Sequence, residues 1–123
     1  PATARLLATE FAELGEVSGC SYESLHQKSA FDVIINGTSA SLDGELPPLS
    51  RELIGEGCCC YDMMYGPKPT VFMEWARENG VQNVSDGLGM LVEQAAESFL
   101  LWRGKMPDTK PVIKALRESI QGS

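Results

Sequence analysis

Positive charge is scarce in this sequence: 10 Lys and Arg stand against 17 Asp and Glu, a net charge of −7 over 123 residues. That balance argues against nucleic acid or an anionic membrane surface as a partner. An anionic small molecule stays admissible, because local backbone dipoles can hold one against the global field. No apolar run approaches the ~20 residues of a membrane helix. No basic stretch followed by an apolar core opens the chain, so no secretory signal is visible, and a reducing, cytoplasmic setting is expected. Histidine occurs once, at His26. There is no Walker loop, nucleophile elbow, HExxH motif or internal repeat. An initiator methionine is also missing. Pro1-Ala2-Thr3-Ala4-Arg5 runs straight into a helical pattern, and the expectation is a chain cut from something longer.

What is present supports a packed α/β domain. Hydrophobic residues make up 43% and charged ones 22%, enough apolar material for one core. Leu6, Leu7, Phe11 and Leu14 have helical spacing over 2–14, closed by Gly15. Val17 to Cys20 is a strand candidate, and Ser21 with Ser24 a capping pattern for a short helix through His26. The β-branched run Val33-Ile34-Ile35 suits a parallel strand buried on both faces. A second strand is expected at Cys58 to Asp62. Helices follow at Thr70 to Asn79 with Val71, Phe72 and Trp75 inward, from Ser85-Asp86 to about Trp102, and after Pro107 with Val112, Ile113, Leu116 and Ile120 on one face. Strands alternating with helices predict a largely parallel sheet with right-handed crossovers.

The stretch GCCCYDMMYGPKPT, residues 57–70, carries three consecutive cysteines. On a strand, Cys58 and Cys60 point one way and Cys59 the other. Such a ladder cannot converge three thiolates on one ion, and zinc sites need ligands on turns plus a second cluster. Core filling is therefore the expectation for the cysteines. The chemistry is expected just beyond, since ligands of open parallel sheets bind outside the carboxyl ends of the strands. Met63 offers a soft apolar contact for a flat ring, and Tyr65 a hydroxyl for a substrate oxygen. Either could instead be a loop residue plugging the sheet edge. The turn Asn36-Gly37-Thr38-Ser39-Ala40 leaves the other strand at the same edge, where it could hold a cofactor ribose or phosphate, or be only a turn. Gly87 and Gly89 open the long helix at a cost of roughly 1 kcal/mol each against alanine, so either a ligand or close packing must require them. Gly87, Met90 and Gln94 share one line on that helix.

Four blocks resemble shikimate dehydrogenase: Phe31 to Ser39 with Gly44-Glu45-Leu46-Pro47; Tyr61-Asp62-Met63-Met64-Tyr65; Asp86 to Ala96; and Phe99-Leu100-Leu101-Trp102-Arg103-Gly104. The resemblance implies an α/β fold, the second half of a Rossmann-like doubly wound parallel sheet with carboxyl-terminal helices. Residues 1–85 would be the carboxyl-terminal half of an NADP-binding domain, and 86–123 helices packing toward a substrate domain that lies, with the glycine-rich loop, outside this sequence. It implies NADPH-dependent reduction of 3-dehydroshikimate to shikimate. By the family pattern Met63 packs near the nicotinamide, Gly87 bonds its carboxamide through the main chain, Met90 is a further cofactor contact, and Asn36, Thr38 and Ser39 lie along the cofactor. Tyr65 and Gln94 contact shikimate. The catalytic lysine–aspartate pair is expected upstream, so no catalytic residue is assigned here and the chain alone is expected to be inactive. Gly37 and Ala40 depart from the family's usual alanine and serine or alanine. The arginine segment that clamps the 2′-phosphate would precede Pro1, so NADP preference over NAD is not legible. An NAD-using quinate or shikimate dehydrogenase, and a non-enzymatic βα module, are the alternatives. A truncated sheet would expose a strand edge, so self-association is expected, with a homodimer among the assemblies to anticipate.

Overall fold

The computed structural model describes residues 1–122. Position 123, the end of the expected helical segment 86–123, lies outside the described residues. Three strands, β1 (Phe31–Asn36), β2 (Ile54–Asp62) and β3 (Asn83–Ser85), form one parallel sheet in the order β1-β2-β3. Two helices, α1 (Ala2–Glu10) and α2 (Tyr22–Leu25), precede the sheet. Helix α3 (Val71–Glu78) connects β2 to β3, and α4 (Leu88–Arg103) packs against α5 (Thr109–Gln121). This is a Rossmann-like arrangement with a carboxyl-terminal helical pair, as expected.

Alternation along β2 sorts the cysteines as its period of two requires. Cys58 and Cys60 are buried with Phe72, Ala76 and Val81, against which Ile34, Trp75 and Val84 also pack. Cys59 is only half-buried. Thr70 caps α3 by accepting the Met73 N–H, which turns Phe72, Met73 and Ala76 onto the sheet. Of the residues expected inward, Phe72 is fully buried while Val71 and Trp75 are half-buried.

Four expectations are corrected. Val33 and Ile35 are 55% and 61% exposed, not buried on both faces, because Ile34 takes the face that packs on the Phe72–Ala76 cluster and its two neighbours point to the other. β2 starts at Ile54 rather than Cys58, since Gly57 at φ +69° absorbs a register shift that lets pairing jump from Phe31↔Ile54 to Val33↔Cys59. β3, three residues long, is too short to show a period. Residues 17–20 form no strand, and α1 stops at Glu10, followed by a single tight turn at Ala12–Leu14. The apolar residues of that segment, Leu6, Leu7, Phe11 and Leu14, remain exposed. The Ser21 cap is present, its hydroxyl accepting the Ser24 N–H at 3.2 Å.

Candidate functional site

The tips of β1 and β2 lie side by side, with Asn36 opposite Asp62. Asp62 is fully buried, and its carboxylate organises everything around it. One oxygen, Oδ2, accepts from Ser41 Oγ at 2.7 Å, Thr70 Oγ1 at 2.6 Å and Asn36 Nδ2 at 3.4 Å. The other, Oδ1, accepts the Met64 N–H at 3.0 Å. A buried charge survives only when so paired. Asp62 thus ties the turn after β1, the loop after β2 and the start of α3 into one rigid edge. It is not among the residues that sequence reasoning singles out, although an ionisable residue closing an otherwise apolar strand is a signal that could have found it.

Asn36 is 4% exposed, and its Oδ1 accepts both the Thr38 N–H at 3.1 Å and the Thr38 hydroxyl at 2.7 Å. Its side chain is therefore committed to shaping the turn. Thr38 is half-buried and Ser39 exposed. The Met63 N–H donates to the Asn36 carbonyl at 3.0 Å, which pins Met63 beside this turn. A Cβ built on Gly37 would stand 3.3 Å from the Met63 sulfur.

Gly87 closes the other side. Its N–H donates to the Met64 carbonyl at 3.1 Å, and a Cβ there would overlap the Met63 backbone, its carbonyl carbon at 2.6 Å. Close packing of main chain against main chain therefore requires this glycine. Gly89 differs: nothing lies within 4 Å of an added Cβ. Just before Gly87, Asp86 is 9% exposed; its Oδ1 caps α4 by accepting the Leu88 N–H at 3.2 Å. Arg117 on α5 grips the same carboxylate with two prongs, Nη2 to Oδ1 at 2.6 Å and Nη1 to Oδ2 at 2.7 Å. The hydrogen bond to Asp86 raises the Arg117 pKa, against the lowering effect of burial.

Met63, Gly87 and the Asn36–Thr38 turn are thus brought into direct contact. Met63, Tyr65 and Met90 stand at 38%, 41% and 39% exposure, and Gln94 is also exposed. Seven residues separate Gln94 from Gly87, about 10 Å along the helix axis. Met90 lines a concavity of about 620 Å³ with Lys68, Arg77 and Arg117, but Met63, Tyr65, Gly87 and Gln94 are not among its walls. Met63 and Gly87 touch, while Tyr65 and Gln94 are exposed side chains outside that concavity. A thioether, a hydroxyl and an amide are thus open to solvent at Met63, Tyr65 and Gln94. Burial, reinforced by Cys58, pushes the Cys60 thiol up to about 12, which makes it a poor nucleophile. Among the described residues no helix is long and apolar enough to cross a membrane.

Residues 87–117 match the family described as the shikimate 5'-dehydrogenase C-terminal domain. The chain is 54% identical over 114 residues to the shikimate dehydrogenase (NADP(+)) of Cellvibrio japonicus (strain Ueda107), covering 93% of this chain and 41% of the relative. Among solved structures it is similar to an Ael1 enzyme from Pseudomonas putida, with TM-score 0.83, 45% identity, and coverage of 94% of this chain and 42% of that one. It is also similar to the shikimate 5-dehydrogenase of Thermus thermophilus in complex with NADP(H) and shikimate, with TM-score 0.76, 31% identity, and coverage of 97% and 43%. The chain thus spans about two fifths of the length of the curated relatives it matches.

Proposed function

We propose that this chain supplies the nicotinamide wall and two substrate contacts of an NADP-dependent shikimate dehydrogenase, whose intact form reduces 3-dehydroshikimate to shikimate. One observation carries the reading: Met63, Gly87 and the Asn36–Thr38 turn converge at the carboxyl edge of a parallel sheet, where such sheets bind ligands. The similarity to a Cellvibrio japonicus enzyme named for NADP(+), and to a Thermus thermophilus enzyme in complex with NADP(H) and shikimate, supports it.

The residues fit a nicotinamide. Met63 is held by its main chain on both sides while its thioether stays partly open beside Gly37. When bound, NADPH supplies the hydride that reduces a ketone carbon. Met63 would pack its thioether against the ring, and Met90, on the first turn of α4, would contact the cofactor. The Gly87 N–H donates to Met64 and its carbonyl accepts the Leu91 N–H, so a carboxamide would share the second lone pair of that carbonyl. The Tyr65 hydroxyl and the Gln94 amide hold substrate oxygens and fix the ring's approach, because small misplacements cost large factors in rate. The proton for the carbonyl oxygen comes from a general acid outside these residues, carried by an amino-terminal substrate domain as this chain's partner. The 123-residue chain alone then has no turnover.

A chimera tests this. The matching segment of the Cellvibrio japonicus relative is replaced by this chain, and shikimate-dependent reduction of NADP is followed by absorbance. The expected result is turnover by the chimera and none by the isolated chain. Tyr65→Phe and Gln94→Ala should each raise the shikimate KM about tenfold, the worth of one hydrogen bond of about 1.4 kcal/mol. A chimera that folds yet turns nothing over would defeat the assignment, and turnover by the purified isolated chain would defeat its dependence on the partner domain.

A further inference from the structure

We infer that Arg117 is a positioning residue for the proposed reaction: α5 braces α4 so that the Gly87–Met90–Gln94 line keeps a fixed angle to Met63. The inference rests on the proposed dehydrogenase reading and adds to it a residue that touches neither proposed ligand.

The front end of α4 is held between two contacts. On one side the Gly87 N–H and backbone abut Met63 and Met64. On the other, Asp86 caps the Leu88 N–H while Arg117 grips both of its oxygens. A carboxylate already spent on a cap could still rotate; a two-pronged guanidinium fixes its plane as well as its position. Asp86 is nearly buried and Arg117 two-thirds so, which shields the pair from solvent screening. A second tie lies further along: the Thr109 hydroxyl at the start of α5 donates to Glu93 Oε1 at 2.7 Å, one residue before Gln94. The antiparallel helix α5 is therefore fastened to α4 at both ends of the stretch that carries Gly87, Met90 and Gln94. Removing the Arg117 end frees the Asp86–Gly87 start of α4 from α5, and Gly87 with the abutting Met63 can then shift relative to Gln94, which stays beside the Thr109–Glu93 tie. Gln94 then loses its set distance to a substrate held over Met63.

Lysine restores the charge but not the fork, so it separates orientation from simple charge balance. The test uses the chimeric enzyme with Arg117→Lys, Arg117→Met, Gln94→Ala and the Arg117→Met/Gln94→Ala double variant. Folding is checked by near-UV circular dichroism, and shikimate kcat/KM is measured for each. Arg117→Met is expected to lower kcat/KM about tenfold to a hundredfold, and Arg117→Lys to recover little of it. The decisive readout is non-additivity: with Arg117 gone, Gln94→Ala should cost much less than it does alone. Additive losses in folded variants, or full rescue by lysine, would overturn the inference while the dehydrogenase reading stands. An inactive parent chimera would instead bring down that reading. Should Arg117→Met fail to fold, Thr109→Val, which cuts the other tie, carries the same cycle with Gln94.

Discussion

Gly87 and Gly89 lie two residues apart at the front of α4, and the structure assigns them opposite responses to alanine. Gly87 has φ −79° and ψ 0°, so the backbone itself tolerates a side chain. The obstacle is the Met63 carbonyl, which a Cβ would overlap. Backbone cannot rotate away as a side-chain tip would, so α4 or the 63–65 loop must retreat. That retreat breaks the hydrogen bond from the Gly87 N–H to Met64, about 1 kcal/mol. Overpacking strain adds about 1–3 kcal/mol. Gly87→Ala should therefore cost about 2–4 kcal/mol. Gly89→Ala meets nothing within 4 Å and gains the alanine helix propensity, up to about 1 kcal/mol. Urea unfolding of the two variants and the parent chain, followed by far-UV circular dichroism, measures both. Midpoints moving in opposite directions with a common m-value are expected. A neutral Gly87→Ala would refute the packing account of this glycine, and with it the wedge that sets the site.

Other consequences are open to equally direct measurement. Asp62→Asn must aim an amide NH2 at a ring of donors, either Ser41, Thr70 and Asn36 or the Met64 N–H. A loss of about 2–4 kcal/mol in chemical unfolding is expected, and an unchanged midpoint would contradict the buried hub. Burial raises Cys60 from its ordinary 9.0 to about 12, so the folded state holds its proton more tightly than the unfolded one. Its stabilising effect is whole below pH about 9 and is lost between about 9 and 12, by at most about 1.4 kcal/mol per pH unit. Cys60→Ala should flatten that stretch of the stability–pH curve, whatever it does to the absolute level. Thiol labelling of the native chain should modify Cys59 and Cys20, both half-buried, well before Cys58 and Cys60, at 3% and 1% exposure. Equal rates for all four would mean that the cysteine strand is not packed as described.

The sheet and its alternation are legible because period two is visible even within a run of three cysteines. Capping is legible too: Ser21 accepts the Ser24 N–H and Asp86 the Leu88 N–H at the starts of their helices. The exposure of Val33 and Ile35 is not, since composition reports that a strand is apolar and not what lies over it. β3 is hidden because three residues carry no period, and the early start of β2 because two glycines look like loop. At the site, the sequence points to Met63, Gly87 and the Asn36 turn, and the structure puts them in contact. No sequence pattern reveals that Asn36 is consumed in shaping the turn, that Asp62 holds the strand tips together, or that Arg117 reaches Asp86 from 31 residues away. Those are tertiary pairings, and nothing local announces them.

The proposed nicotinamide lies against Met63, and methyl-labelled methionine in the chimeric enzyme reports that contact directly. Titration with NADP should shift the Met63 methyl resonance strongly by ring current and that of Met90 less, with Met106, in the loop between α4 and α5, unmoved. NADP binding and turnover with the Met63 signal unchanged would place the ring elsewhere and contradict the account.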